Sequence, residues 1–321
     1  MDGGVFKSVD RGGEWQHTVA VPTPAGVKNF ASANVRTLAI DPQDHLAVYA
    51  GTEENGLLYS FDGGQSWKQA KDVSAGFVTA VAVDPNDTCA IYASVSHRIV
   101  KSTDCNRTFK EVYREPSEQT LITALAIDPF DSRRIYAGTI KGTLLKSADG
   151  GRTWTHEALL SRARVVDILP DPRKEKVRYV ALAGRGIWKT ENGGAAFAEL
   201  KNELKPIKGA GEIQRLILDP ATPDGLILAA KHTIAQSRDG GKTWKALTLI
   251  SPESVEIYTV AVNPADSSHL YYGTSTTFYR SFDGGQTWST KKLPTSRAAS
   301  ALIVDPEEQS TIYLGAREVK K

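Results

Sequence analysis

One short pattern, Ser-x-Asp-Gly-Gly-x-Thr-Trp, recurs along the chain and constrains its fold more than any other feature. Ser60-Phe61-Asp62-Gly63-Gly64-Gln65-Ser66-Trp67 is a clear copy, and others run from Ser147 to Trp154, Ser237 to Trp244 and Ser281 to Trp288. The copy from Ser8 to Trp15 carries Arg11 before its glycines. Two copies are degraded: Ser102 to Phe109 has Cys105-Asn106 for the glycines, and Thr190 to Phe197 has Asn192 for the acid. The seven starts, at 8, 60, 102, 147, 190, 237 and 281, are separated by 52, 42, 45, 43, 47 and 44 residues. A second motif keeps the same beat: an apolar stretch ending in Asp-Pro, as in Leu38-Ala39-Ile40-Asp41-Pro42. It returns at Asp84-Pro85, Asp128-Pro129, Asp171-Pro172, Asp219-Pro220, Asn263-Pro264 and Asp305-Pro306, and each of the first six pairs precedes the next box by 18 or 19 residues.

Each unit reads as four short strands, A to D. Strand A, as in Thr79 to Val83, is nearly all apolar, which predicts burial on both faces, and its alanines suit a crowded place near an axis. Asp-Pro then makes a turn, because Asp caps a free N–H while Pro fixes φ and cannot continue a ladder. Strand B follows, as in Val48-Tyr49-Ala50-Gly51, and strand C ends at the box, as in Leu57-Leu58-Tyr59-Ser60. In the box, the carboxylates of Asp10, Asp62, Asp104, Asp149, Asp239 and Asp283, and the amide of Asn192, are placed to accept turn N–H groups. The Gly-Gly pair supplies positive φ. The Trp opens strand D and is expected to plug the gap between sheets, its indole N–H meeting a turn carbonyl.

A four-stranded unit of this size cannot bury both faces alone; repetition around an axis can. The first box has no strand A or B before it, and the last Asp-Pro has a strand B after it (Thr311 to Gly315) but no box. Joined, the two ends complete a blade. The expected fold is therefore all-β, a seven-bladed propeller of four-stranded antiparallel blades, one domain over residues 1–321. The 321 residues then count blades, at about 46 residues each. With 40% hydrophobic residues the chain can fill such a core. A net charge of +2, from 39 basic and 37 acidic residues, argues against a nucleic-acid coat. No apolar run approaches the ~18 residues of a membrane span.

These boxes resemble the Asp-box, or BNR, repeat of sialidases, sortilin-type receptors, xyloglucan-cleaving glycoside hydrolases and photosystem II assembly factors. The resemblance covers nearly the whole chain and implies the propeller fold, with the box as a structural turn. Function then lies in the loops. Sialidases are six-bladed and need three converging arginines, a Tyr-Glu pair and an Asp acid, and no such set stands out. The xyloglucanases pair two propellers around a cleft, and Thr52-Glu53-Glu54-Asn55-Gly56 matches their Thr-Asp-x-Gly-Gly turn only faintly. The single seven-bladed ring of the photosystem II assembly factor type is most similar in size and organisation. Those factors present an arginine patch on one face, and sortilin-type receptors hold a peptide carboxylate within the ring, so the resemblance implies capture of an anionic partner.

The residues point the same way. The A–B and C–D turns share one face, filled by the repeated motifs, so variation should collect on the other, with the B–C and D–A loops. In order, the B–C loops hold Glu53 and Glu54, His97 and Arg98, Lys141, Arg185, Lys231 and His232, Thr274 to Thr277, and Arg317. Arg36 and Arg215 lie where strand A begins, and Arg162 and Arg164 lie on a D–A loop. A cationic face on a nearly neutral protein suits an acidic protein surface or a peptide carboxylate. The competing view of these side chains is ordinary solvated loop cations. The leading function is a non-enzymatic protein- or peptide-binding or assembly scaffold, acting as a monomer. The alternative is a polysaccharide-active glycoside hydrolase using Glu53, Glu54 or Asp167, because glycoside hydrolysis needs two carboxylates close together. Six histidines show no metal-ligand spacing, the box acids lack the alternating ligands of a calcium loop, and no phosphate-cradling loop is present, so no cofactor is expected.

Cys89 begins strand B of the blade whose box contains Cys105. Antiparallel B and C bring the start of one to the end of the other, which predicts a disulfide in place of part of the lost Gly-Gly turn, with two unpaired thiols as the alternative. Met1-Asp2-Gly3-Gly4 lacks the basic start and apolar segment of a signal peptide. The chain also begins mid-blade, as one from which a leader has been trimmed. The expectation is export to the periplasm or beyond, with the cytoplasm as the alternative.

Overall fold

In the computed structural model, which describes residues 2–319, every repeat is a four-stranded antiparallel sheet in the order A-B-C-D. Blade one has strands Val35–Asp41, Asp44–Thr52, Leu57–Ser60 and Lys68–Gln69. Five more blades follow, within residues 78–114, 122–159, 165–199, 213–246 and 259–292. The seventh is made from both ends of the chain. Strands Ala298–Val304 and Ile312–Arg317 pair with Gly4–Ser8, in a register that sets Phe6 opposite Leu314, and Gln16–His17 completes the sheet. Strand A of each blade packs against strand A of the next, and that of the seventh against that of the first, so the ring is closed.

Burial differs from the expectation in one respect. In blades one to five strand B is more enclosed than strand A, as where Ala47 to Thr52 and Ala90 to Val95 are all buried and Thr79 to Val83 half-buried, while strand A of blades six and seven is buried at every position or all but one. Strand A has no further strand on its inner side, so its side chains border the axial space, while strand B is flanked by strands on both edges and by blades on both faces.

The boxes explain their own sequence. Ser147 Oγ donates to Asp149 Oδ1 at 2.8 Å and accepts the N–H of Gly151 at 2.8 Å, while Asp149 accepts the N–H and hydroxyl of Thr153. The glycines have φ of 75° and 87°. Where the sequence lacks them, the backbone keeps the turn at the expense of strain: Cys105 and Asn106 have φ of 56° and 68°, and Arg11 has 60°. The sulfurs of Cys89 and Cys105 are joined at that turn. The Cys105 N–H donates to the Cys89 carbonyl at 3.4 Å, the bond that Gly63 makes to Leu46 and Gly150 to Arg133 in other blades. Of the box tryptophans, Trp154 and Trp244 donate to their own box glycine carbonyls and Trp288 to Thr248. The indoles of Trp15 and Trp67 have no acceptor among the described residues. Trp67 is instead sealed by an inserted hairpin, Ala20–Thr23 and Gly26–Asn29, which accounts for the long first interval. Its backbone N–H donates to the Ala20 carbonyl, and Phe30 meets its ring edge-on at 5.4 Å.

Neighbouring blades are latched by a residue pattern that sequence reading missed. At two of the joints the strand B tyrosine and the lysine before the box serine both donate to a box carbonyl of the next blade. Tyr92 and Lys101 reach Gly150 at 2.9 and 3.0 Å, and Tyr313 and Lys7 reach Gly63 at 3.0 and 2.8 Å, the latter pair across the closing joint. Each lysine also lies over its tyrosine ring, at 5.0 and 5.4 Å, so the two donors form one packed unit.

Candidate functional site

Five residues before the Asp or Asn of each Asp-Pro or Asn-Pro pair stand Arg36, Thr79, Thr123, Val166, Gln214, Tyr258 and Ser300. All seven line one cavity of about 430 Å³. Since every blade contributes the same strand A position, the cavity lies on the ring axis, at the end opposite the boxes. Phe77, Leu121 and Ile140 add apolar wall, and Arg164, Arg215 and Arg317 bring the guanidinium groups to four.

Two of the four are neutralised. Arg36 Nε lies 2.7 Å from Glu53 Oε1, and Arg215 Nη2 lies 3.5 Å from Asp167 Oδ1. Asp167 also accepts the N–H of Leu216 at 2.8 Å, which ties strand A of blade four to strand A of blade five. Arg164 and Arg317 have no ion-pair partner among the described residues, and neither does Arg215 Nε have a hydrogen-bond acceptor. Burial pushes the Arg164 guanidinium below its ordinary value; Asp167 opposes this, while Arg36 and Arg215 push the same way. Arg317 is lowered by burial and by Arg36, against the pull of Glu53. The aromatic walls offer the cations a partial substitute for water: Arg36 lies 5.0 Å from the Phe77 ring centre and Arg317 5.8 Å from that of Tyr258. The site therefore holds an excess of positive charge in a half-desolvated hollow, where an anion would be bound more strongly than at an open surface.

The structure gathers Arg36, Arg215 and Arg317 from the sequence-derived set, with Arg164 among them, and leaves the rest apart. Arg98 lies 3.5 Å from Glu111, beside His97 and Arg114. Lys231 pairs with Glu256 at 2.7 Å, and His232 Nδ1 is 3.1 Å from the Val255 carbonyl. Lys141, Arg162 and Glu54 are exposed. Arg185 is exposed too, beside a separate cavity of about 320 Å³ with Leu204 and Ile207. Phe77, Leu121, Ile140 and Tyr258 went unrecognised as site residues. Counting back from each Asp-Pro or Asn-Pro would have found Tyr258, and Phe77 and Leu121 each stand one residue before a strand A. No cluster of three or more metal-ligating side chains occurs among the described residues.

A family model described as BNR/Asp-box repeat matches residues 58–69 and 279–290, so the chain carries that repeat. No curated protein matches the chain. Among solved structures it is similar to the GH74 xyloglucanase from Xanthomonas campestris, at 16% identity and a TM-score of 0.74 over 95% of this chain and 52% of that one. It is also similar to YCF48 bound to a D1 peptide, at 15% identity and a TM-score of 0.67 over 93% of this chain and 95% of that one. A third is the extracellular domain assigned to a one-component system of B. thetaiotaomicron, at 15% identity and a TM-score of 0.65 over 95% of this chain and 44% of that one. The chain spans about half the length of the xyloglucanase, and these likenesses establish the seven-bladed fold. No helix among the described residues is long and apolar enough to cross a membrane.

Proposed function

We propose that this protein is a binding scaffold without catalytic activity, a single propeller domain acting as a monomer, whose axial arginine cavity captures an anionic group of a protein or peptide. The observation that carries this reading is the charge of the cavity: four guanidinium groups against two carboxylates, with Arg164 and Arg317 unpaired among the described residues. A carboxylate entering along the axis would meet both. The similarity to a propeller solved with a bound peptide supports the choice of partner class. A glycoside hydrolase needs two carboxylates facing one glycosidic bond. Here Glu53 is engaged by Arg36, and Asp167 by Arg215 and a backbone N–H, so binding has the better support. An exported, oxidising setting belongs to the same reading and rests on the joined cysteines.

The test is calorimetric titration with a synthetic acidic peptide ending in a free carboxylate, against R164Q/R317Q. Affinity should fall about tenfold or more in the double variant and fall with added salt, while R98Q/R185Q on the rim should change it little. Equal affinity in the parent and R164Q/R317Q would sink the proposal.

A further inference from the structure

The face opposite the arginine cavity carries an asymmetry of its own. The second residue of each box stands on a turn between the serine that anchors it and the acid that caps it. Around the ring this residue is Phe61, Thr103, Ala148, Glu191, Arg238, Phe282 and Val9 in blades one to seven. The large apolar ones therefore fall on three consecutive blades, six, seven and one. They are open to solvent: Phe282 is 44% exposed, Val9 66% and Phe61 44%. Leu46, at 42%, lies against Gly63 of the Phe61 box. The rings are braced, Phe61 by Tyr59 at 5.3 Å and Phe282 by His269 at 4.9 Å, so little order remains to be lost on contact.

Charge divides along the same line. The A–B turns and boxes of blades six, seven and one hold Asp10, Glu14, Asp44, Asp266, Glu307 and Glu308, none of them buried, with Arg11 as their one arginine or lysine. The same turns in the other four blades hold Arg107, Arg133, Arg152, Lys176, Arg238 and Lys242 among their acids. Phe130, 47% exposed on the A–B turn of blade three beside Arg133 and Arg134, stands apart from this division, while Val9, Leu46, Phe61 and Phe282 cluster where the turns are mainly acidic. Single exposed apolar residues are unremarkable in proteins, but three on consecutive blades in a mainly acidic surround mark an interaction surface, even with Arg280 5.5 Å from the Phe282 ring centre and Lys291 3.8 Å from Glu14.

We infer that this arc docks a polypeptide segment in which lysine or arginine side chains alternate with aromatic or aliphatic ones. The apolar side chains of the segment cover Phe282, Val9 and Phe61, and its cations sit among the carboxylates between them. The arc shares no residue with the arginine cavity, so the two surfaces can be occupied together.

Fluorescence anisotropy with a labelled peptide of alternating lysine and leucine tests this, beside lysine–serine and glutamate–leucine peptides of equal length. The lysine–leucine peptide should bind, and binding should weaken about tenfold in F61S/F282S and also between about 50 and 500 mM salt. The other two peptides should bind about tenfold more weakly or worse, and R164Q/R317Q should bind as the parent does. Because both rings stand at the surface, F61S/F282S should keep the parental circular dichroism and melting temperature. Equal affinity of parent and F61S/F282S for the lysine–leucine peptide would overturn the docking surface, and so would equal binding of the lysine–serine peptide. Sedimentation equilibrium showing self-association that F61S/F282S abolishes would overturn it too, by making the arc a contact between copies of this chain.

Discussion

The box acids act through hydrogen bonds they can accept only as carboxylates or amides. Asp104, Asp149 and Asp283 each take the hydroxyl of the threonine four residues on, then its N–H, and these donors hold the acids down at about 2. The unfolded chain, with ordinary aspartates near 4, binds more protons than the folded one between about pH 4 and 2, so box stability is lost as pH falls through that window. Urea midpoints measured from about pH 5 to 2 should therefore drop steeply below about 4. A flat profile would show that the boxes contribute nothing through charge. Blade four escapes this dependence, because Asn192 accepts the Thr190 hydroxyl and the Ala196 N–H without ionising. The same blade replaces the tryptophan with Phe197. It also places Arg178 where other blades hold an aliphatic residue, paired with Glu157 at 2.5 Å and 3.6 Å from the Tyr136 ring centre.

At the scale of the element, each C–D turn is a small device that needs two residues at positive φ. Blade two meets that need with Cys105 and Asn106, residues that pay strain where glycine would not, and joins the turn covalently to the start of strand B. Asn106 also donates to Tyr49 of blade one, taking over part of the interblade latch. The intact protein should show no thiol reactive to alkylation unless it is reduced under denaturing conditions. C89S/C105S should lose about 3 kcal/mol of unfolding free energy if the bond acts by closing a loop of this length. Labelling of both cysteines in the unreduced protein would overturn the pairing.

For the whole molecule, the decisive joint is the seventh blade, where the strand Gly4–Ser8 fills the edge of Ile312–Arg317 and Lys7 reaches into blade one. Removing residues 1–17 strips two strands from that blade, exposes the edge of its strand B and leaves Tyr313 as its remaining latch donor to Gly63. The truncated chain should unfold in a broader, lower transition by calorimetry and aggregate through the open edge. A sharp transition at the parental temperature would mean that ring closure adds little. The closed ring is also what gives the protein two unlike ends, a cationic axial hollow and a box face with an acidic, apolar arc, despite a net charge of only +2.

Period and turn chemistry made the architecture readable from residues alone. Seven boxes, seven Asp-Pro or Asn-Pro pairs and complementary half-blades at the two ends are local, repeated signals, and each rests on backbone demands that a few residue types satisfy. They determined blade number, strand order and the way the ring closes. The site was less legible, because convergence on an axis is not a local property. Arg36, Arg164, Arg215 and Arg317 belong to four different blades, and nothing in their spacing separates them from Lys141 or Arg185, which the loops carry outward. Which cations share a desolvated hollow, which carboxylates neutralise them and which strand is most enclosed depended on the radius and tilt of the assembled blades. Those quantities exist only once seven sheets have packed around one axis, and it was the tertiary structure that decided them.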